Sequence, residues 1–130
     1  MDGGLERIHA TAIAAGGRAA LIRGPSGAGK SDLALRCMAL PPTPLFDAPA
    51  RLVADDQVIV HRRGLRLVAS APPQILGKLE VRGLGLVAVA AIAEADVVLL
   101  VELVAAHAVS RYPDPWPTAA ILGLRVPILK

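Results

Sequence analysis

The segment Gly24-Pro25-Ser26-Gly27-Ala28-Gly29-Lys30-Ser31 constrains this chain more than any other. It satisfies the pattern G-x-x-x-x-G-K-[ST] without a mismatch. The pattern has meaning only where an apolar strand runs into it and a helix leaves it. Both flanks are present. Ala19-Ala20-Leu21-Ile22 reads as a strand feeding Gly24, and Ser31 to Leu40 places Leu33, Ala34, Cys37 and Met38 at helical spacing before Pro41-Pro42 ends the run. The residue types follow from the chemistry. Glycines let the backbone curl so that successive N–H groups face inward at phosphate oxygens. The helix N-terminus adds about half a positive charge at the same place. Lys30 reaches phosphate and the Ser31 hydroxyl is a Mg²⁺ ligand. The whole loop, Gly24, Pro25, Ser26, Gly27, Ala28, Gly29, Lys30 and Ser31, is therefore the candidate nucleotide-binding element.

A chain of 130 residues has room for one domain. More than half of it is apolar, 54%, which is enough for a packed core and excludes a disordered chain. That core is aliphatic, because Phe, Tyr and Trp occur once each. Aromatic stacking therefore cannot dominate a nucleic-acid contact. The net charge is only +3 and the densest basic cluster is Arg62, Arg63 and Arg66. Such a cluster reads as a solvated edge or a contact for phosphate or an acidic partner, and nucleic acid is not the expected partner. Cys37 is the only cysteine, so no intramolecular disulfide forms, which suits a reducing compartment. The N-terminus lacks the basic and apolar regions of a signal peptide. Gly83 to Val101 is apolar and long enough to span a bilayer, but it carries Glu94 and Asp96. An acid near a helix centre costs roughly 2.5–3.5 kcal/mol on insertion. Val97 to Val101 reads instead as a buried strand, and no membrane segment is expected.

Elsewhere the pattern is mostly of short strands. His9 to Ala15 and Arg18 to Arg23 flank Gly16-Gly17 as a hairpin. Pro41 to Ala50, with four prolines, and Ser110 to Pro117, with three, are loops. Arg51 to Ala54 is a strand ending in Asp55-Asp56. Val58 to Val60 and Leu65 to Val68 flank Arg62-Arg63-Gly64 as a second hairpin. Gln74 to Leu79 reads as a short helix after Pro72-Pro73, and Ile121 to Leu129 supplies one or two last strands. The expected fold is an α/β core with a mixed, partly antiparallel sheet and few helices.

Three further places carry chemistry. A carboxylate at the end of a strand beside the loop can hold Mg²⁺ through water or take a proton from an attacking hydroxyl. Asp55 and Asp56 both stand there, and alternation along a strand predicts that only one of them enters the site. Glu80 and Arg82 share a side in extended geometry, where one can bind metal and the other clamp phosphate. Taken alone they fit a surface ion pair beside a turn slightly better. His9 precedes a strand that would pair with the one feeding the loop, which brings it near the phosphates. His61 and His107 have no metal-ligand spacing.

In this order the segments resemble the catalytic domain of the bacterial HPr kinase/phosphorylase family. His9-Ala10-Thr11-Ala12 stands at its His-led strand, and the glycine loop follows. Leu52-Val53-Ala54-Asp55-Asp56-Gln57-Val58 looks like its Val-Ala-Asp-Asp stretch. Leu79-Glu80-Val81-Arg82-Gly83-Leu84-Gly85-Leu86-Val87 is close to its signature segment. The resemblance implies a phosphoenolpyruvate-carboxykinase-like P-loop core. It also implies an ATP- and Mg²⁺-dependent kinase that phosphorylates a serine of the carrier protein HPr, together with reverse phosphorolysis. By position it makes Asp55 the base, with His9, Lys30 and Arg82 as the other catalytic residues, and Ser31 and Glu80 the metal ligands. It further implies a cytoplasmic protein and leaves room for a homo-oligomer. The chain departs from the family at Ala10, where the family has Gly, and in the longer Pro41 to Ala50 loop. It ends at Ile128-Leu129-Lys130 without the family's Pro-, Arg- and Gly-rich segment. The expectation is a single catalytic domain over residues 1–130 with no N-terminal regulatory domain. Two other readings of the same residues are a nucleotide sensor without catalysis and a small-molecule kinase using Arg62, Arg63 and Arg66 as a lid.

Overall fold

A computed structural model of the chain describes residues 2–41, 43–44, 47–111, 113 and 115–130. Parts of the two expected proline-rich loops, at Pro42, Leu45 and Phe46 and at Tyr112 and Asp114, lie outside the described residues. In chain order the elements are β1 (Asp2–Ile8), β2 (Thr11–Ala15), β3 (Arg18–Arg23), α1 (Lys30–Ala39), β4 (Arg51–Ala54), β5 (Val58–Arg63) and β6 (Arg66–Ser70). They continue with β7 (Lys78–Val81), β8 (Gly85–Ala88), β9 (Glu94–Glu102), β10 (Thr118–Ile121) and β11 (Leu124–Leu129). Single 3₁₀ turns occupy Pro73–Ile75 and Ala106–Ala108.

The main sheet has nine strands and follows the path β1-β5-β6-β9-β3-β2-β4. It is mixed: β3 runs parallel to β9, β11 joins β9 in parallel, and the other neighbours are antiparallel. β7 and β8 form a separate two-stranded ribbon. The hairpin between β2 and β3 closes through Gly16 and Gly17, with φ of 59° and 80°. Two consecutive left-handed residues give the hairpin turn whose twist matches its strands, and glycine adopts them without a steric penalty.

β9 holds the sheet together. It touches β6 through Glu94, Ala95 and Asp96, β3 from Asp96 to Glu102, and β11 at Leu100 and Val101. Its pairing with β3 slips between Ala19 and Ala20, so that Val97 faces Ala19 while Leu99 faces Ala20. The extra residue is Val98. This bulge changes the parity of the strand. Ala95 and Val97 point into the core before it and Leu100 after it, while Val98 is 46% exposed. The core cluster unites Leu21 of β3, Val53 of β4, Val58 and Val60 of β5, Leu67 of β6 and Leu100 with Ile121 and Val126 of the β10–β11 hairpin. α1 packs against β2, β4 and β7, with Ala34 fully buried.

Several local expectations are corrected. Arg62 and Arg63 lie in β5, and the turn after them is Gly64-Leu65. The basic cluster is spent on its neighbours. Arg63 reaches Glu94 at 3.2 Å, Arg66 reaches Asp96 at 2.9 Å, and Arg62 donates to the Leu122 carbonyl at 2.9 Å. Gln74 to Leu79 is not a helix. The 3₁₀ turn stops at Ile75 and Lys78 opens β7, because Leu79 is fully buried in a strand opposite Val87. β1 was not anticipated at all. Its sequence, DGGLERI, has almost no alternation, and the strand forms because β5 offers it an edge. Gly83 to Val101 supplies β8 and β9, and among the described residues no helix is long and apolar enough to cross a membrane.

The bulge yields a stability test in urea. Leu100→Ala removes a fully buried side chain and is expected to cost about 2–5 kcal/mol. Val98→Ala, two positions away on the same strand, is expected to change stability by about 0.5 kcal/mol or less. Equal losses at the two positions would contradict the change of parity.

Candidate functional site

β3 delivers the chain to Gly24 beside the last turn of β9. The Leu103 N–H donates to the Arg23 carbonyl at 2.8 Å, and Arg23 pairs with Glu102 across the strands at 3.4 Å. A Cβ on Gly24 would stand 3.1 Å from that of Leu103 and 3.2 Å from that of Ala28, so the first position of the loop is glycine for lack of space. The loop turns through a bond from the Ala28 N–H to the Pro25 carbonyl at 3.0 Å. α1 then starts after Gly29 without a side-chain cap, which leaves the N–H groups of its first turn to a ligand. Lys30 is only 8% exposed. Its ammonium donates to the carbonyls of Gly24 and Pro25 at 2.8 and 3.2 Å, and its third N–H has no acceptor among the described residues.

Across from the loop, β4 ends at Ala54 and the chain bends through Asp55 and Asp56. Asp55 is 7% exposed and accepts hydrogen bonds from three different elements. Its Oδ1 takes the hydroxyls of Thr11 in β2 at 2.9 Å and Ser31 in α1 at 2.7 Å. Its Oδ2 takes the Glu80 N–H of β7 at 3.0 Å. Asp56 adopts φ of 69°, a left-handed conformation that Asp tolerates better than most residues. Its Oδ1 meets His9 Nε2 at 2.7 Å, and its carbonyl accepts the Ala10 N–H at 3.2 Å. This last bond anchors the His9 bend. The expectation that only one of the two acids enters the site is therefore corrected. Strand alternation stops at Ala54, and the left-handed turn brings both side chains to the same cavity.

That cavity measures about 610 Å³. Its walls carry Ser26, Gly27, Gly29, Lys30 and Ser31 from the loop, His9, Asp55 and Asp56 opposite, and Glu80 and Arg82 from the β7–β8 ribbon. Gly24, Pro25 and Ala28 do not line it. They form the back of the loop. Thr11 is absent from the residues that the sequence singles out; a Thr in the middle of an apolar strand is the available signal, since a buried hydroxyl needs a partner. Asp56 stands among the sequence candidates, but which of the two acids is buried depends on one backbone angle.

The cavity suits a nucleotide-bound Mg²⁺. An ionised carboxylate only accepts hydrogen bonds, so the Ser31 hydroxyl must donate to Asp55 and keeps its lone pairs free. Glu80 lines the same space. Among the described residues no three His, Cys, Asp or Glu side chains cluster as a metal cage. Mg²⁺ at such sites takes one or two protein ligands, with water and phosphate completing its shell.

Known proteins share the sequence pattern and the fold of this chain. The HPr kinase/phosphorylase of Chlorobium phaeobacteroides is 31% identical over 136 residues, covering 96% of this chain and 38% of that protein. That of Clostridium tetani is 40% identical over 81 residues, 62% of this chain and 24% of the relative. The chain thus spans well under half the length of the curated relatives it matches. The solved structure of the Hpr(Ser) kinase/phosphatase from Coxiella burnetii superimposes with a TM-score of 0.80 at 25% identity, over 95% of this chain and 77% of that one. The family described as HPr Serine kinase C-terminal domain matches residues 5–128, and this chain belongs to it.

Proposed function

We propose that this chain is a protein-serine kinase that transfers the γ-phosphoryl group of Mg²⁺-ATP to a serine of HPr. The observation that carries the reading is the single cavity in which a phosphate loop faces an exposed carboxylate–imidazole pair, with a second, buried carboxylate beneath it. On this reading residues 1–130 are one catalytic domain with a phosphoenolpyruvate-carboxykinase-like core. The setting is cytoplasmic, as befits ATP and HPr. The homo-oligomer that the resemblance leaves room for belongs to the same reading.

The roles follow from the contacts. The loop N–H groups, the α1 N-terminus and Lys30 hold the phosphates and offset the charge that spreads over the transferred group. Mg²⁺, when bound with nucleotide, neutralises phosphate charge, and Ser31 and Glu80 would hold it. The sequence resemblance gave the base to Asp55, but the geometry favours Asp56. Both oxygens of Asp55 are taken by donors, one of them the Ser31 hydroxyl, and the residue is buried. The side chain of Asp56 is 66% exposed, and His9 occupies only its Oδ1. Oδ2 can accept the seryl proton while the seryl oxygen bonds to phosphorus and the bond from phosphorus to the ADP oxygen breaks. His9 fixes the carboxylate's orientation. Run backwards, with phosphate as the acceptor of the phosphoryl group, the same Asp56 returns the proton to the seryl oxygen. Arg82 on the cavity rim supplies a guanidinium for phosphate in both directions.

Labelled ATP, Mg²⁺ and HPr provide the assay. Lys30→Ala is expected to abolish label on the HPr serine. Absence of label with the native chain, while ATP still binds, would point to a sensor without catalysis. Asp56→Asn is expected to lower transfer by about 10²-fold or more with nucleotide affinity kept. Asp55→Asn is expected to weaken Mg²⁺-nucleotide binding first. The reverse pattern would return the base to Asp55.

A further inference from the structure

Thr11 is fully buried in β2, yet it carries a hydroxyl whose described partner is Asp55. A hydroxyl in this position has one bland explanation, a satisfied polar group in the core. The bond pattern around Asp55 says more. Oδ1 receives two hydroxyl donors, Thr11 at 2.9 Å and Ser31 at 2.7 Å, and no described ion pair reaches this carboxylate. Lys30, the nearest cation in sequence to Ser31, gives its bonds to the carbonyls of Gly24 and Pro25 instead. The buried charge of Asp55 is thus held by neutral donors alone, one from each of three elements.

We propose that Thr11 is a positioning residue for the cation that accompanies the nucleotide, acting through Asp55 on Ser31. This rests on the Mg²⁺-nucleotide reading of the cavity. With Thr11 filling one lone pair of Oδ1, the remaining one faces α1 and takes the Ser31 proton. The Ser31 hydroxyl is then locked as a donor toward Asp55, and its own lone pairs face the cavity, where a cation would sit. Without the Thr11 bond, only the Glu80 N–H and the Ser31 hydroxyl itself restrain Asp55 about its terminal torsion, which is broad for a carboxylate. The Ser31 hydroxyl then loses its fixed direction. Phosphate binding by the loop backbone does not depend on Asp55, so the effect falls on the cation and not on the nucleotide.

The test compares Thr11→Val, which keeps shape but removes the donor, with Thr11→Ser, which restores it. Binding of a fluorescent ATP analogue is measured with and without Mg²⁺, and Mn²⁺ binding in the presence of ATP is followed by electron paramagnetic resonance. Thr11→Val is expected to weaken Mn²⁺ binding about 10-fold, the usual loss when a ligand's hydrogen-bond support is removed. Its affinity for the Mg²⁺-free nucleotide should match the native chain, and Thr11→Ser should recover the Mn²⁺ affinity. Native-like Mn²⁺ affinity in a folded Thr11→Val, or equal losses of nucleotide and cation, would overturn the proposal in favour of a core role. If Thr11→Val fails to fold, Thr11→Cys, with a weaker donor of similar size, is held to the same comparison. Failure of the native chain to bind Mn²⁺ with ATP would instead remove the Mg²⁺-nucleotide reading itself.

Discussion

The site depends on one carboxylate. Asp55 is where the β2–β3 hairpin, the helix after the glycine loop and the β7–β8 ribbon are tied to one another. The donors Thr11, Ser31 and Glu80 lie 44, 24 and 25 positions from Asp55, and the ribbon is not hydrogen-bonded into the main sheet. A buried anion is costly unless hydrogen bonds satisfy it. The donors it recruits are therefore drawn to fixed positions. The cost of burying Asp55 becomes the order of its surroundings, and no buried side-chain polar atom among the described residues is left without a partner.

Above that carboxylate, the division of work between Asp55 and Asp56 comes from the backbone. Two adjacent acids in a strand would have pointed to opposite faces. The left-handed turn at Asp56 breaks the alternation, so one acid is buried as a structural acceptor and the next is presented to solvent with His9. Holding a non-glycine residue there costs of order 1 kcal/mol or more. The bond from the Ala10 N–H to the Asp56 carbonyl helps maintain it. Strain at this point separates two chemically identical side chains into different environments.

Much of this was legible in the sequence, because it rested on short-range rules. The strand–loop–helix around Lys30, the Gly16-Gly17 hairpin, the strand before Asp55 and the strand over Val97 to Val101 all carry local signals, although the last is only partly buried because of its bulge. What escaped depends on partners distant in the chain. β1 has no pattern of its own and exists by pairing with β5. The residues 74–79 resemble a helical turn until the burial of Leu79 opposite Val87 decides otherwise. The arginine cluster is the solvated edge that its sequence suggested, but its partners were not legible there: its charges close on Glu94 and Asp96, the two acids that argue against a membrane span. The surroundings of Thr11 and Asp56 depend on distant hydrogen-bond partners and a backbone angle, and neither is written in residue type.

The parallel pairing of β3 with β9 has a kinetic side. Arg23 and Glu102, which meet at the end of that pair, are 79 positions apart. The strand that carries the glycine loop thus acquires its inner neighbour only after the intervening 79 positions have been made and brought back. Closing so long a loop is entropically expensive before any contact repays it, and topologies rich in such pairings fold slowly. The loop sequence is synthesised before its own wall, because the wall behind Gly24 is built by Leu103. During synthesis the folded form of the loop therefore lags the appearance of its own motif by the time the ribosome takes to reach and release β9.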